Sequence, residues 1–291
     1  MEDALPVYSR PRSRSDRPAK IAMWIAVIFL AIVMIVPFVF MLVISLDMDA
    51  KTAVPFPPRI IPGDFGWDSY RIAIQSIDIW RLYLNTFEIA VVQIIISLAS
   101  ALLAAYALSK LKPKGGNVIL LLALSTMMIP TESTIIPNFL LFKRLHLLDT
   151  YWAFWLPALA YPFGTFLIKQ YMDGLPSELR EAAILDGAGE LRVLYSIYLP
   201  LCKGALAVLS ILLYLAIWND FLWPLLVLSD STKFTIQLGI ASFNQTIGGQ
   251  QYALPSVNMA AAVLSLLPVL AIYLFFQRYI VENIAVTGVK G

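Results

Sequence analysis

From the N-terminus onward, the chain alternates long apolar runs with short polar segments. The apolar runs fall at 21–46, 84–109, 117–141, 151–172, 204–228 and 256–277, and none carries more than one charged residue. A helix that crosses the hydrocarbon core of a bilayer needs about 20 mainly apolar residues, because each residue advances the helix by only about 1.5 Å. The pattern therefore predicts six transmembrane helices whose connections alternate between the two sides. Pro37, Pro130, Pro137, Pro157, Pro162, Pro224 and Pro268 lie inside these runs. A bilayer tolerates such prolines where neighbouring helices satisfy the freed carbonyls. Two readings stand: kinked helices around a cavity, or kinks with no functional meaning.

Composition supports the membrane assignment. Of 291 residues, 59% are hydrophobic and 14% charged, against about 25% charged in soluble domains. The fold class expected is an all-α integral membrane protein. The single cysteine, Cys202, excludes an intramolecular disulfide and a Cys-based zinc cluster. It reads as a small residue near a membrane boundary.

Charge sets the orientation. Arg10, Arg12, Arg14, Arg17 and Lys20 precede the first run, and that run is longer than the roughly 7–15 apolar residues of a cleaved signal. Residues 21–46 therefore read as an uncleaved span, with 1–20 a mobile cytosolic tail. With the N-terminus inside, fourteen of the 21 Lys and Arg residues fall on inner segments. That bias places both termini in the cytosol. On the outer side, 47–81 is rich in Pro and Trp and reads as ordered, with short amphipathic pieces on the membrane surface. The outer segment 229–254 is polar and contains NQTIGGQQY at 244–252, with Gly248-Gly249 as a flexible turn.

The chain contains no GxxxxGK[ST] loop for binding nucleotide phosphates. KPKGGN at 112–117 has neither the spacing nor the strand–loop–helix setting. No Ser/His or Cys/His pair suits hydrolysis, and the lone histidine, His146, falls on an outer loop. No enzymatic site is expected in this chain, and no metal or nucleic-acid partner. Energy for any transport must come from another polypeptide or from an ion gradient.

The segment 174–200, GLPSELREAAILDGAGELRVLYSIYLP, falls on the cytosolic side between the fourth and fifth runs. Ser177 suits an N-cap, and Glu178 and Glu181 suit the positive end of a helix dipole. Gly187 suits the left-handed position after a helix. A second helix is expected from about 190 to 199, broken by Pro200. The first helix is short and marginal alone. Leu179, Ala182, Ala183 and Leu185 give it an apolar surface with little bulk, and Arg180, Glu181 and Asp186 can fix a register by charge. These residues allow a helix docked on a partner or a solvated link between spans.

Glu181, Ala182, Ala183, Gly187, Ile197, Leu199 and Pro200 stand at the spacing of an EAA motif followed by Gly and Ile-x-Leu-Pro. This resembles the cytosolic coupling loop of bacterial binding-protein-dependent ABC importers. MMIPTESTIIP at 127–137, the run at 147–188, WNDFLWPLLVL at 218–228 and the terminal GVKG are similar to the carbohydrate-uptake branch, the MalG-type permeases. The resemblance implies a six-span subunit, 21–291, paired as a heterodimer with a second, MalF-type permease. Two copies of a cytosolic ABC ATPase, carrying ATP and Mg, would lie beneath. An extracytoplasmic solute-binding protein would deliver a sugar from above. The coupling loop would comprise Glu181, Ala182, Ala183, Asp186, Gly187, Ile197, Leu199 and Pro200.

Polar groups at membrane depth are costly and face a bundle interior or water. Tyr214, Trp218, Asn219, Asp220 and Trp223 offer the amides, carboxylate and rings that bind sugars. Asp220 also suits a pairing with the second permease or the outer interface. Glu132 suits gating or a structural hydrogen bond, and Glu88 an interfacial position. Asn244, Gln245, Gln250, Gln251 and Tyr252 are candidates for contact with the binding protein, or a solvated turn. A different class of reading, an ion-coupled secondary transporter working through Glu132 and Asp220, accounts for the buried acids but not for the EAA spacing.

Overall fold

The computed structural model describes residues 16–51, 53–243, 245–247, 250–252 and 254–288. It is helical apart from a short antiparallel hairpin, β1 (Gln245–Ile247) with β2 (Gln250–Tyr252), in which Thr246 pairs with Gln251.

Three described segments are single helices long and apolar enough to cross a membrane: Ala19–Ser45 within α1 (Asp16–Ser45), Ile79–Leu111, and Pro255–Phe275 within α14 (Pro255–Gly288). The second of these begins as α3 (Ile79–Tyr106) and runs on through a π-helical turn, Ala107–Leu111. Asp78 starts α3 by accepting the Arg81 amide at 3.2 Å. Helix α1 packs on α14 and leaves most of its large side chains, Trp24 and Phe29 among them, exposed. Such a surface belongs in lipid.

The other expected spans are not single helices. The run 117–141 is α4 (Gly116–Thr126) and α5 (Thr131–Arg144), bent by 97°. Pro130 accounts for the break, because proline disfavours helical backbone in the residue before it and itself starts a new helix readily. The run 151–172 is divided into α6 (Trp152–Trp155), a 3-10 turn at Pro157–Leu159, and α7 (Pro162–Asp173). Pro157 and Pro162 each stand at the start of their element, so they begin helices where kinks within one helix were expected. The run 204–228 ends as a helix at Asn219: α11 (Lys203–Asn219) is followed by α12 (Leu222–Val227). The Asp220 carboxylate accepts the Trp223 amide at 3.4 Å, so Asn219-Asp220 is a stop and restart. With the two bent pairs counted as one span each, the described residues hold five candidate crossings.

Between α7 and α11 lie α8 (Glu178–Leu185), α9 (Glu190–Val193), a second π-helical turn at Leu194–Tyr198, and α10 (Leu199–Leu201). The expected break at Pro200 falls instead at Cys202, where the chain bends by 76° into α11. Pro200 lies near the end of the continuous helical stretch Glu190–Leu201. Cys202 is fully buried at that corner.

Helix α3 is the axis of the fold. It packs along α7 and α11, and its buried Ala90, Ser97, Ala101 and Ala105 let the backbones approach closely. Ser97 also donates to the Ala158 carbonyl in the 3-10 turn at 3.1 Å. Two apolar cores flank its ends. One gathers Leu82, Ile89, Phe154, Trp218, Ile236 and Val257; the other gathers Leu102, Tyr106, Ile168, Met172, Leu194 and Tyr198. The segment 47–81 is ordered, as expected: it holds α2 (Asp68–Ser76), and the Met48 amide bonds to the Asp64 carbonyl at 2.8 Å. The segment 229–254 departs from a wholly solvated turn, since α13 (Ile236–Ala241) buries Ile236 and Leu238.

Candidate functional site

The eight residues of α8 bury no side chain. Leu185 is 87% exposed, and Leu179 and Ile184 are also exposed. Glu181, Ala182, Asp186 and Gly187 stand open beside them, while Ala183 is half-buried. Isolated helices this short do not hold in water, so what defines α8 is its ends. At the C-terminus the Ala188 amide bonds to Ala183 O at 2.9 Å and the Gly187 amide to Ile184 O at 3.0 Å. This pair of bonds is the Schellman motif. Gly187 takes φ +84°, and nothing lies within 4 Å of where its Cβ would be. The second alanine of EAA and the glycine four residues on are thus two ends of one turn. The expected Ser177 cap is not made by its side chain. The Ser177 backbone is itself helical, whereas an N-cap hydroxyl needs extended backbone to reach back. Its carbonyl accepts the Arg180 amide instead, at 3.0 Å.

The loop is tied to the end of α3. Arg180 bonds both carboxylate oxygens of Glu190, with Nε 3.1 Å from Oε2. Tyr106 donates to Glu190 Oε2 at 2.5 Å. The Arg180 guanidinium and then the Tyr106 hydroxyl hold the Glu190 carboxyl below its ordinary range. Before α8, Ser109 donates to Asp173 Oδ1 at 2.6 Å and Lys110 to the Leu175 carbonyl at 2.9 Å. Of the remaining predicted loop residues, Ile197 and Leu199 are half-buried against the second core and Pro200 is exposed.

The predicted path residues are dispersed. Tyr214 and Trp218 are core residues, stacked at 5.4 Å, and Tyr83 also stacks on Trp218, at 6.0 Å. Trp218 donates to the Ser265 carbonyl and Trp223 to the Ala153 carbonyl. These rings tie α11 to α14 and α12 to α6. Asn219 is exposed, its amide turned back to Leu215 O at 2.7 Å, and Asp220 caps the next helix. Glu132 is exposed in the first turn of α5 and Glu88 is exposed on α3. Asn244, Gly248 and Gly249 lie outside the described residues. Gln245 lies on β1, and Gln250, Gln251 and Tyr252 on β2.

At the far end of α3 the structure assembles a polar cluster that pattern reasoning missed. Asp149 accepts the Ser229 and Asp230 amides at 3.0 Å and the Lys233 ammonium at 2.9 Å. Lys233, then those amides, hold the Asp149 carboxyl down to about 2. Arg81 and Asn85 of α3 donate to the Thr232 carbonyl at 3.1 and 2.9 Å. Beside this cluster a cavity of about 520 Å³ is lined by Glu88, Tyr151 and these side chains. Asp149 and Lys233 are 84 residues apart in sequence, and no local signal joins them. Tyr106 and Glu190, equally separated, were missed for the same reason.

Residues 93–286 match the family described as "Binding-protein-dependent transport system inner membrane component". The chain is 39% identical over 212 residues to the arabinooligosaccharides transport system permease protein AraQ of Halalkalibacterium halodurans, covering 73% of this chain and 75% of that protein. It is 32% identical over 247 residues to the sn-glycerol-3-phosphate transport system permease protein UgpE of Yersinia pestis, covering 83% and 87%. Among solved structures it resembles a bacterial ABC transporter involved in the import of the acidic polysaccharide alginate, with a TM-score of 0.81 and 27% identity over 93% of this chain and 99% of that one. The chain belongs to the binding-protein-dependent transport system inner membrane component family, as a permease subunit of an ABC importer. The likeness to the carbohydrate-uptake branch read from its motifs holds. Nothing in these relatives supports the ion-coupled alternative.

Proposed function

We propose that this chain is one of two permeases in an importer that takes up an oligosaccharide or related glycan across a bacterial cytoplasmic membrane. In this reading the second permease is of the MalF type, two ABC ATPases bind ATP and Mg on the cytosolic side, and an extracytoplasmic binding protein delivers the sugar. The chain crosses the bilayer six times, with α4–α5, α6–α7 and α11–α12 as interrupted crossings and both termini inside. The 174–200 end then faces the ATPases and the 229–254 end faces the binding protein.

One observation carries the assignment of the 174–200 end. An eight-residue helix with no buried side chain, ending in a Schellman turn, presents Leu185 at 87% exposure. A helix that gains so little from its own chain is held ready for a cleft on another. The names of the relatives support the sugar class: arabinooligosaccharides for one and alginate for another.

Pull-down from detergent-solubilised membranes tests this. A cytosolic ATPase is expected in the eluate with the wild type and not with Glu181→Lys combined with Gly187→Pro, at equal amounts of membrane-inserted permease. Equal recovery with both would refute the docking assignment.

A further inference from the structure

Helix α8 has a bare front, but its back is built into the bundle. Arg180, inside α8, holds both oxygens of Glu190 in α9. Tyr106, only 4% exposed at the last turn of α3, completes the group by donating to the same carboxylate. Planar guanidinium–carboxylate pairing fixes orientation as well as distance. The Tyr106 ring meets Tyr198 edge-on at 5.4 Å, and the Lys110 ammonium stands 5.3 Å over the Tyr198 ring. Tyr106 immediately precedes one π-helical turn, Ala107–Leu111, which carries Lys110, and Tyr198 closes another, Leu194–Tyr198. Such turns are rare and cluster at functional sites. Ser109 and Lys110 hold the chain entering α8, and Tyr106 holds the chain leaving it.

A mechanical consequence follows. The covalent exit from α8 runs through Gly187 and Gly189, and nothing lies within 4 Å of either glycine's Cβ position. A push on α8 carried by that link alone would bend the glycine turn. Arg180, Glu190 and Tyr106 bypass it.

We propose that Glu190 and Tyr106 are positioning residues forming a strut that makes α8 and the end of α3 one rigid unit. Movement imposed on α8 by a partner then reaches α3, a helix remote in sequence, and not only the adjoining α7 and α11. The proposal rests on the docking assignment of α8.

Spin labels on Glu178→Cys in α8 and Leu103→Cys in α3, in a Cys202→Ser background, report on it in the assembled complex with its ATPases. Distances are compared without nucleotide and after trapping with ATP and vanadate. With the strut intact the α8–α3 distance is expected to stay the same in both states. In Glu190→Gln, and in Tyr106→Phe, which removes one hydroxyl and leaves the ring packing, it should shift or broaden by about 2 Å or more on trapping. The ATPase should still co-purify with both variants. A wild-type distance that changes on trapping, or variants that behave as wild type, would overturn the strut. So would loss of the ATPase from Tyr106→Phe, which would assign these residues to docking. Failure of the ATPase to co-purify even with wild type would sink the docking assignment itself.

Discussion

The two ends of α3 are built alike and exposed differently. At the end near Arg81, a carboxylate, Asp149, gathers two amides and an ammonium, and the segment it organises folds Ile236 and Leu238 into the core. At the end near Tyr106, a carboxylate, Glu190, gathers a guanidinium and a phenol. Helix α8, which it braces, then turns Leu179, Ile184 and above all Leu185 outward. Polar ties at both ends make loops rigid. Only one of these loops carries a helix, α8, that buries none of its side chains in the protein's own core. If α8 docks as proposed, the contrast separates a loop finished by its own chain from one that another polypeptide finishes.

The largest test of that contrast is a charge on the bare face. Leu185→Glu should cut ATPase co-purification by about ten-fold or more, the effect of losing an anchor at the centre of an interface, with membrane insertion unchanged. Gly187→Ala comes next. Left-handed backbone costs a non-glycine residue about 1–2 kcal/mol, so ATPase binding should weaken several-fold. Gly115, at φ +81° and equally open, supplies the control: Gly115→Ala carries the same strain outside α8 and should leave ATPase binding unchanged. At the other end, Asp149→Ala strands two amides and leaves Lys233 only the backbone carbonyl of residue 149 and Asp230. The melting temperature in detergent should fall by a few degrees while ATPase co-purification holds.

The smallest effect is in pH. The folded carboxyl of Asp149 lies at about 2, below the ordinary value of about 3.9. Its contribution is therefore complete above the ordinary value and lost as pH falls through about 4 towards 2. Between pH 5 and 8 the melting temperature should not sense this group. Below pH 4, Asp149→Asn should show a shallower loss than wild type.

How much of this the sequence disclosed depended on the range of the interaction. Apolar runs of span length were legible, because a bilayer demands them of any sequence. So were the ends of α8, since its acidic first turn and Gly187 are local signals. Interruptions were legible only as prolines: Pro130 and Pro162 announced breaks, but whether a proline kinks one helix or starts another depends on what packs around it. Asn219-Asp220 suits sugar binding, a pairing with a second permease or the outer interface, and the same side chains also cap helices. The rings of Tyr214 and Trp218 likewise suit sugar binding, and packing assigned them to the core. The ties of Asp149 to Lys233 and of Tyr106 to Glu190 had no local signal at all, since each joins residues more than eighty positions apart.

The central claim is that the bare face of α8 meets an ATPase. A photoreactive phenylalanine analogue at position 185, in cells carrying the whole importer, tests it most directly, with position 231 at the opposite end of α3 as comparison. The account predicts a crosslink to an ATP-binding subunit from position 185 and none from 231. A crosslink to the ATPase from 231, or none from 185 while uptake continues, would contradict it.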